Sequence, residues 1–285
     1  MPLVTLRELG AGLQLPGQAF GCFSVYNLEF LQGVLEAAED ARTGTVLSIN
    51  GSLLSAPGTD IMATVALSMA RMAKIPVAVH LNHARRLDLV LKALELGFSS
   101  VMFDGSDLSL EENIALTRRA AQLARSFGAT VEGELGPLDV DAIRERHGQP
   151  ILALADRFCM ETGIDYMAVS IPTNPDNQVG PRLDFLQQMF ERWKVGLVLH
   201  GASAMGENDL AQAVRNGVSK VNVHTELKRA FHEGLKKGKS DNPYDLSRAW
   251  VEAKQHVRHY VGNKIRFLMS CGQAADIKVT EQADE

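Results

Sequence analysis

Eight short apolar segments, separated by amphipathic helical patterns, constrain the fold of this chain more than any other feature. In order they are GCFSV, TVLSI, VAVHL, SVMFD, TVEGEL, YMAVSI, GLVLH and SKVNV. Apolar strands that alternate with helices are typical of repeated βα units on a parallel sheet. Eight such units in succession favour a closed (β/α)8 TIM barrel over an open doubly wound sheet.

Helix boundaries lie between these segments. Apolar residues recur at helical spacing from Leu87 to Leu96, and Gly97 follows as a C-cap. Ser109 and Glu112 form the S-x-x-E capping box of another helix. The regular alternation of strand and helix patterns therefore supports the barrel.

Length and composition indicate one domain. The chain has 285 residues, of which 46% are hydrophobic, so it can bury a large core. No change in composition marks a second domain, and we expect a single barrel domain over residues 1–285. Residues from about 273 onward form a polar C-terminal tail that we expect to fray.

Charge and cysteine content narrow the functional class. The net charge is only -5, and the KKGK run at 236–239 lacks interleaved aromatic residues, so we expect no nucleic-acid partner. No segment reaches the ~20 apolar residues of a membrane span, so we expect no membrane contact. Cys22, Cys159 and Cys271 are widely spaced and form no CxxC pair, which fits reduced thiols in the cytoplasm.

Polar side chains follow the predicted strands at one end. Because the carboxyl ends of barrel strands surround one mouth, we expect these side chains to converge there. They are Asn82 and His83 after the third strand, Asp104 to Ser106 after the fourth, Glu134 after the fifth, His200 to Ser203 after the seventh and Asn222 to Thr225 after the eighth.

Two of these residues are histidines, His83 and His200, and they predict a metal site. Neutral imidazole together with carboxylate oxygen is the usual zinc donor set where no thiolate is available. The alternative is that each histidine caps a strand or forms hydrogen bonds in the core. Both histidines at one mouth favour the metal site.

The seventh and eighth strand ends predict a phosphate site. Gly201, Ala202 and Ser203 expose backbone N–H groups after the seventh strand, and Asn222 and Thr225 follow the eighth. Barrels often bind a phosphate at these two loops. The alternative is a tight turn in which the hydroxyls cap the following helices.

Six motifs in the same order resemble the class II, zinc-dependent ketose-bisphosphate aldolases, and most closely their tagatose-/fructose-bisphosphate branch. VAVHLNH resembles the family's HLDH strand, SVMFDGS its SxMxDGS, VEGELG its VEAELG and LVLHGAS its LVLHGAS. DYMAVSI resembles the strand before its GTAHG, and KVNVHTELKRAF resembles its KxNxxTEL. The resemblance runs from about Gly21 to Gly272, nearly the whole chain.

This resemblance implies an oligomeric barrel, a dimer or tetramer, that cleaves a ketose bisphosphate into dihydroxyacetone phosphate and an aldehyde. Zinc would polarise the ketone. His83 and His200 match two of the three zinc histidines, and Asp104 and Glu134 match carboxylates near the metal. The positions that match those holding the phosphate and the dihydroxyacetone portion are Gly201, Ser203, Asn222 and Thr225.

The chain departs from the family pattern at four places. The catalytic aspartate is Asn82 here, and an amide cannot exchange a proton near neutral pH. The remaining zinc histidine is absent from residues 172–177, which read PTNPDN. An asparagine expected near the first strand end is Ser24, although Asn27 is kept. The loop after VEGEL is short and lacks the matching glutamate.

Other residues of this chain could take over the catalytic and metal-binding roles of the missing family residues. Asp139, Asp141 or Glu145 could substitute for the loop glutamate if that loop folds differently. Asp176 and His224 join Asp104 and Glu134 as residues that could complete the zinc shell. The candidates for the catalytic work are Asn82, Glu134 and His224.

We therefore expect a class II aldolase-like lyase with an altered active site, acting on a small phosphorylated keto compound. An alternative is a phosphosugar-binding or regulatory homologue that no longer cleaves the bisphosphate. A third possibility is an unrelated activity on the same barrel, since fold does not fix function.

Overall fold

Eight parallel strands form a closed barrel in the computed structural model, which describes residues 2–56, 58–137, 151–170, 183–239 and 246–272. Each strand pairs with the next along the chain, and β1 pairs with β8 to close the barrel. The predicted (β/α)8 fold is confirmed. The strands are β1 Phe20–Ser24, β2 Thr45–Asn50, β3 Val77–Ala84, β4 Ser100–Asp104, β5 Thr130–Pro137, β6 Tyr166–Ser170, β7 Gly196–His200 and β8 Val218–Val223.

Helices connect the strands and cover the outside of the barrel. Within the described residues they are α1 Leu6–Gly10, α2 Leu28–Asp40, α3 Gly51–Leu54, α4 Thr59–Met72, α5 Leu87–Leu96, α6 Leu110–Ser126, α7 Ile151–Thr162, α8 Leu183–Arg192, α9 Glu207–Arg215, α10 Thr225–Lys237 and α11 Ser247–Ser270. A short 3-10 helix, Ala202–Ala204, follows β7. The helix boundaries read from the sequence hold: Ser109 and Glu112 form a capping box, and Gly97 is left-handed.

The first helix closes the amino-terminal end of the barrel. Leu6 and Leu9 of α1 are buried in a cluster that includes Phe20 and Tyr166 at the starts of their strands. The Tyr166 hydroxyl donates to the carbonyl oxygen of Leu6 at 2.7 Å. The opposite, carboxyl-terminal mouth is therefore the end available for a site.

The last helix packs along the outside of the barrel. Ala253, Val257 and Val261 of α11 are fully buried, and α11 lies against α2 and α10. The backbone N–H of Gly272 donates to Gly17 at 2.7 Å. The predicted polar tail from about 273 lies outside the described residues. No helix in the described part of the chain has the length and apolar character needed to cross a bilayer.

Polar residues occupy two levels inside the barrel. Because alternate residues of a strand point the same way, residues two apart on β3, β5 and β8 share the interior face. One level lies deep in the barrel and the other at its carboxyl-terminal mouth. The deeper level has His80, Glu132 and Lys220, and the mouth level has Asn82, Glu134 and Asn222.

Candidate active site

The carboxyl-terminal mouth holds a cavity of about 290 Å³ that collects the predicted site residues. It lies between the ends of β1, β2, β3, β7 and β8. The cavity is lined by Ser24, Asn50, Asn82, His83, His200, Gly201, Ala202, Ser203, Asn222, His224 and Thr225. The structure therefore brings together most of the residues that the sequence singled out.

An irregular strand end presents His83 to this mouth. The register between β3 and β4 shifts between Leu81 and Ala84, and His83 has a left-handed φ of 51°. A non-glycine residue in this region is uncommon, and such strain concentrates at functional sites. Gly51 permits the arrangement, because a Cβ there would lie 2.7 Å from the carbonyl oxygen of His83.

A three-residue cluster at the mouth has the donors of a metal site. Ligand atoms of His83, Glu134 and His200 all lie within 4.8 Å of one another. Nδ1 of His83 and Nδ1 of His200 each lie 3.7 Å from Oε2 of Glu134. Two imidazoles and one carboxylate are a donor set of catalytic zinc sites, which keep a further position open. The residues present therefore fit a zinc ion.

Asp104 lies beside this cluster and contacts one of its members. Its Oδ2 is 2.9 Å from Nδ1 of His83. Its Oδ1 accepts from the hydroxyl of Ser106 at 2.6 Å. Burial alone would raise the pKa of Asp104, but the hydrogen bonds from His83 and Ser106 hold it well below its usual range. The structure thus places an ionised Asp104 against His83, and its role as a metal ligand stays a prediction.

Burial and two carboxylates act in opposite directions on His83. Burial lowers its pKa, whereas the hydrogen bond to Asp104 and the charges of Glu134 and Asp104 raise it, and the net pKa is raised. The negative charges of Glu134 and Asp104 therefore favour a proton on the imidazole, and they would equally favour a metal cation beside it.

The predicted phosphate residues line the other side of the cavity. Gly201 adopts a left-handed φ of 73° and leads into the 3-10 helix, while α10 begins at Thr225. Ala202 and Ser203 line the same cavity as Asn222 and Thr225. Phosphate binding by this side stays a prediction, although the two loops meet as expected.

Asn82 lies on the mouth level and is nearly buried. Its Oδ1 accepts from the side-chain amide of Asn222 at 3.3 Å. An amide can orient a ligand through hydrogen bonds but cannot carry a proton near neutral pH.

His224 contacts two hydroxyl groups from the end of β1. Its Nδ1 lies 2.7 Å from the Tyr26 hydroxyl and 3.2 Å from Oγ of Ser24. Burial, together with the charges of Lys228 and His83, lowers the pKa of His224. Burial raises the pKa of Tyr26 to about 12, so this hydroxyl keeps its proton near neutral pH. Asn27 instead caps α2 by accepting from Phe30.

Sequence reasoning missed Tyr26 and the deep polar level. The signal for Tyr26 was its place two residues after Ser24, itself a departure from the family pattern. The sequence signal for the deep level lies in β3, β5 and β8. In each of these strands, a polar residue precedes the mouth residue by two positions.

A second cavity of about 510 Å³ adjoins the first. The two cavities share Asn50 and His83. Ser52, Arg85 and Glu134 are among the residues that line the second cavity. The two cavities therefore meet at His83.

Several predicted residues lie outside the described part of the chain. These are Asp139, Asp141 and Glu145 in the short loop, and Asp176 in the segment that lacks the family histidine.

The fold is a (β/α)8 barrel, and its mouth holds a cluster of side chains of the kind that binds a metal ion. Comparisons with known proteins specify the family. The sequence matches the family described as Fructose-bisphosphate aldolase class-II over residues 4–273. The chain belongs to this class II aldolase family, whose characterised members are carbon–carbon lyases.

Individual relatives agree with this assignment. The chain is 36% identical to the sulfofructosephosphate aldolase of Alkalicoccus urumqiensis, covering 90% of this chain and 93% of that protein. It is 36% identical to the D-tagatose-1,6-bisphosphate aldolase subunit GatY of Klebsiella oxytoca, covering 85% and 88%. Among solved structures, the YdjI aldolase of Escherichia coli K12 is 30% identical, with a TM-score of 0.82 over 95% of this chain and 99% of that one.

Proposed function

We propose that this protein is a divalent-metal-dependent aldolase that forms or breaks a carbon–carbon bond in a small phosphorylated keto compound. The cluster of His83, Glu134 and His200 beside the two phosphate-type loops carries the proposal. The relatives support it, since each is named as an aldolase or aldolase subunit. We further propose that the enzyme is a cytoplasmic homo-oligomer.

Each part of the mouth has a role in this reaction. A zinc ion held by His83, Glu134 and His200 would supply Lewis-acid polarisation of the substrate ketone. The loops at Gly201 to Ser203 and Asn222 to Thr225 bind the phosphate through backbone N–H groups. Together these contacts fix the reacting carbons at the mouth.

His224 is the proton carrier in this proposal. In cleavage, the hydroxyl on one carbon of the breaking bond gives its proton to His224. That carbon becomes the carbonyl carbon of the aldehyde product. The electron pair of the broken bond passes to the keto fragment, whose carbon then takes up a proton from solvent to give the ketone product. In the reverse direction His224 returns the proton to the new hydroxyl. A lowered pKa keeps His224 neutral and ready to accept, while Asn82 orients the substrate.

A second candidate, phosphosugar binding without cleavage, is favoured by the amide at position 82. The barrel, the cavity and the phosphate loops would remain, but no residue would move the proton. This candidate predicts that phosphorylated sugars stabilise the protein without being converted.

Metal analysis and turnover distinguish the two. Protein purified without chelator or metal-binding tag is analysed for metals and then incubated with phosphorylated ketoses, with dihydroxyacetone phosphate as the measured product. We expect about one zinc ion per chain and turnover that a chelator abolishes and zinc restores. Thermal stabilisation by phosphosugars, with neither metal nor product, would instead establish the binding protein.

A further inference from the structure

Glu132 and Lys220 form an ion pair inside the barrel, one level below the mouth. Nζ of Lys220 lies 2.7 Å from Oε2 of Glu132, and both side chains are completely buried. A buried pair is weak evidence for stability, because the desolvation of both charges offsets their attraction. The contacts that this pair makes with its neighbours indicate a different role.

The second oxygen of Glu132 faces a residue of the metal-type cluster. Its Oε1 lies 3.4 Å from Nε2 of His200. Its Oε2 accepts from the Lys220 ammonium at 2.7 Å, so both oxygens of Glu132 act as acceptors in this contact. Nε2 of His200 therefore carries the proton that lies between it and Glu132.

This tautomer leaves the other ring nitrogen of His200 with a free lone pair. That nitrogen, Nδ1, is the one that lies 3.7 Å from Oε2 of Glu134 at the mouth. A histidine that ligates a metal commonly donates its second ring N–H to a carboxylate, which fixes both the tautomer and the ring orientation. Glu132 satisfies this condition from inside the barrel.

The rest of the deep level holds Glu132 in place. Lys220 lies 3.4 Å from Nε2 of His80, whose Nδ1 is 2.8 Å from the Ser100 hydroxyl. Burial and the charge of Lys220 keep the pKa of His80 well below its ordinary value, so His80 is neutral and accepts from Lys220. The described contacts thus form a continuous chain from Ser100 on β4 to His200 on β7.

We propose that Glu132, anchored by Lys220 and His80, is a positioning residue that presents Nδ1 of His200 to the metal. This proposal rests on the proposed function only in taking the ion bound at the mouth to be zinc. The tautomer of His200 is a property of the protein alone and is tested separately.

The first experiment observes the tautomer. Nitrogen NMR of the metal-free protein, labelled with 15N in histidine only, distinguishes a protonated Nε2 from a protonated Nδ1, and the spectrum of H200Q assigns the His200 signals. A proton on Nε2 is expected. A proton on Nδ1 would overturn the proposal whether or not zinc binds.

The second experiment compares two uncharged replacements of the ion pair. E132Q/K220M keeps an acceptor oxygen opposite Nε2 of His200, whereas E132L/K220M has a similar volume and no acceptor. Zinc affinity is measured by competition with a chromophoric chelator, and the absorption spectrum of the cobalt-substituted protein reports the ligand geometry. The loss of such an outer partner weakens metal binding by about 10- to 100-fold.

We expect this loss in E132L/K220M, with an altered cobalt spectrum, and a smaller loss in E132Q/K220M. Equal affinities and spectra in both variants and the natural protein contradict the positioning role. If the natural protein binds neither metal, the proposed function fails, and the NMR experiment still decides the contact between Glu132 and His200.

Discussion

The rings of His83 and His200 meet edge to face at the mouth of the barrel, with centroids 4.8 Å apart. Oε2 of Glu134 lies 3.7 Å from Nδ1 of each. One divalent cation placed between the two imidazoles and the carboxylate would be within reach of all three groups.

Replacing His83 by alanine should abolish stoichiometric metal binding. The variant removes one of the three proposed ligands, while the side chain of His83 is 34% exposed and contributes little to the core. Elemental analysis of the purified variant should fall from about one zinc per chain to none. His256→Ala, at a half-buried histidine on α11, is the matched control and should retain the metal.

Replacing His224 by glutamine should lower kcat by about 10²- to 10⁴-fold, the contribution of a general acid or base. Glutamine keeps hydrogen-bonding capacity but cannot take up a proton near neutral pH. Steady-state rates measured with saturating zinc test this. Unchanged kcat in H224Q would remove the residue from the chemistry and leave it as a contact for the phosphate.

Replacing Lys228 by glutamine should move the acidic limb of the pH–rate profile to higher pH. After burial, the charge of Lys228 is the largest cause that lowers the pKa of His224. Removing that charge raises the pKa of His224. The imidazole is then protonated at a higher pH than before, and a protonated imidazole cannot accept the substrate proton. Lys236→Gln, on the same helix and paired with Glu233, should leave the limb where it is.

The deep polar level should make the metal-free protein acid-sensitive. His80 and Glu132 both have folded-state pKa values below their ordinary values of 6.5 and 4.5. Each therefore stabilises the fold above its ordinary pKa, and the stabilisation is lost as the pH falls toward the folded-state value. Urea unfolding at a series of pH values should show a decline that begins below 6.5 and steepens below 4.5. The decline should be shallower in E132L/K220M.

Replacing Gly51 by alanine should weaken zinc binding although it replaces no proposed ligand. The new methyl group would lie 2.7 Å from the carbonyl oxygen of His83 and 3.2 Å from Cα of Ala84, both backbone atoms. The strand end must shift, at a cost of about 1–3 kcal/mol in the free energy of unfolding. Chelator competition and urea unfolding measure the two effects. Gly12→Ala, whose nearest contact is 3.5 Å, should change neither.

The barrel could be predicted because its strands and helices differ in periodicity along the chain. The mouth residues could also be predicted, since each follows directly on an apolar strand. His83, Glu134 and His200 were identified in this way and do come together.

Contacts across the barrel could not be predicted in the same way. Tyr26 reaches His224 because β1 closes on β8, and Glu132 reaches Lys220 because both point inward at one level. The contact between Asp104 and the ring of His83 is a further example, since His83 has a left-handed backbone at this point. Such lateral proximity depends on register and local backbone geometry rather than on spacing in the sequence.

The two adjoining cavities meet at Asn50 and His83. In the proposed reaction, a substrate that spans both would have its keto half beside the phosphate loops and its aldehyde half beside Ser52 and Arg85. The two fragments of cleavage would then occupy separate cavities. In the direction of synthesis, the residues of the second cavity would select among aldehydes. Exchanging Ser52 or Arg85 would then change the choice of aldehyde while leaving the proposed phosphate loops intact.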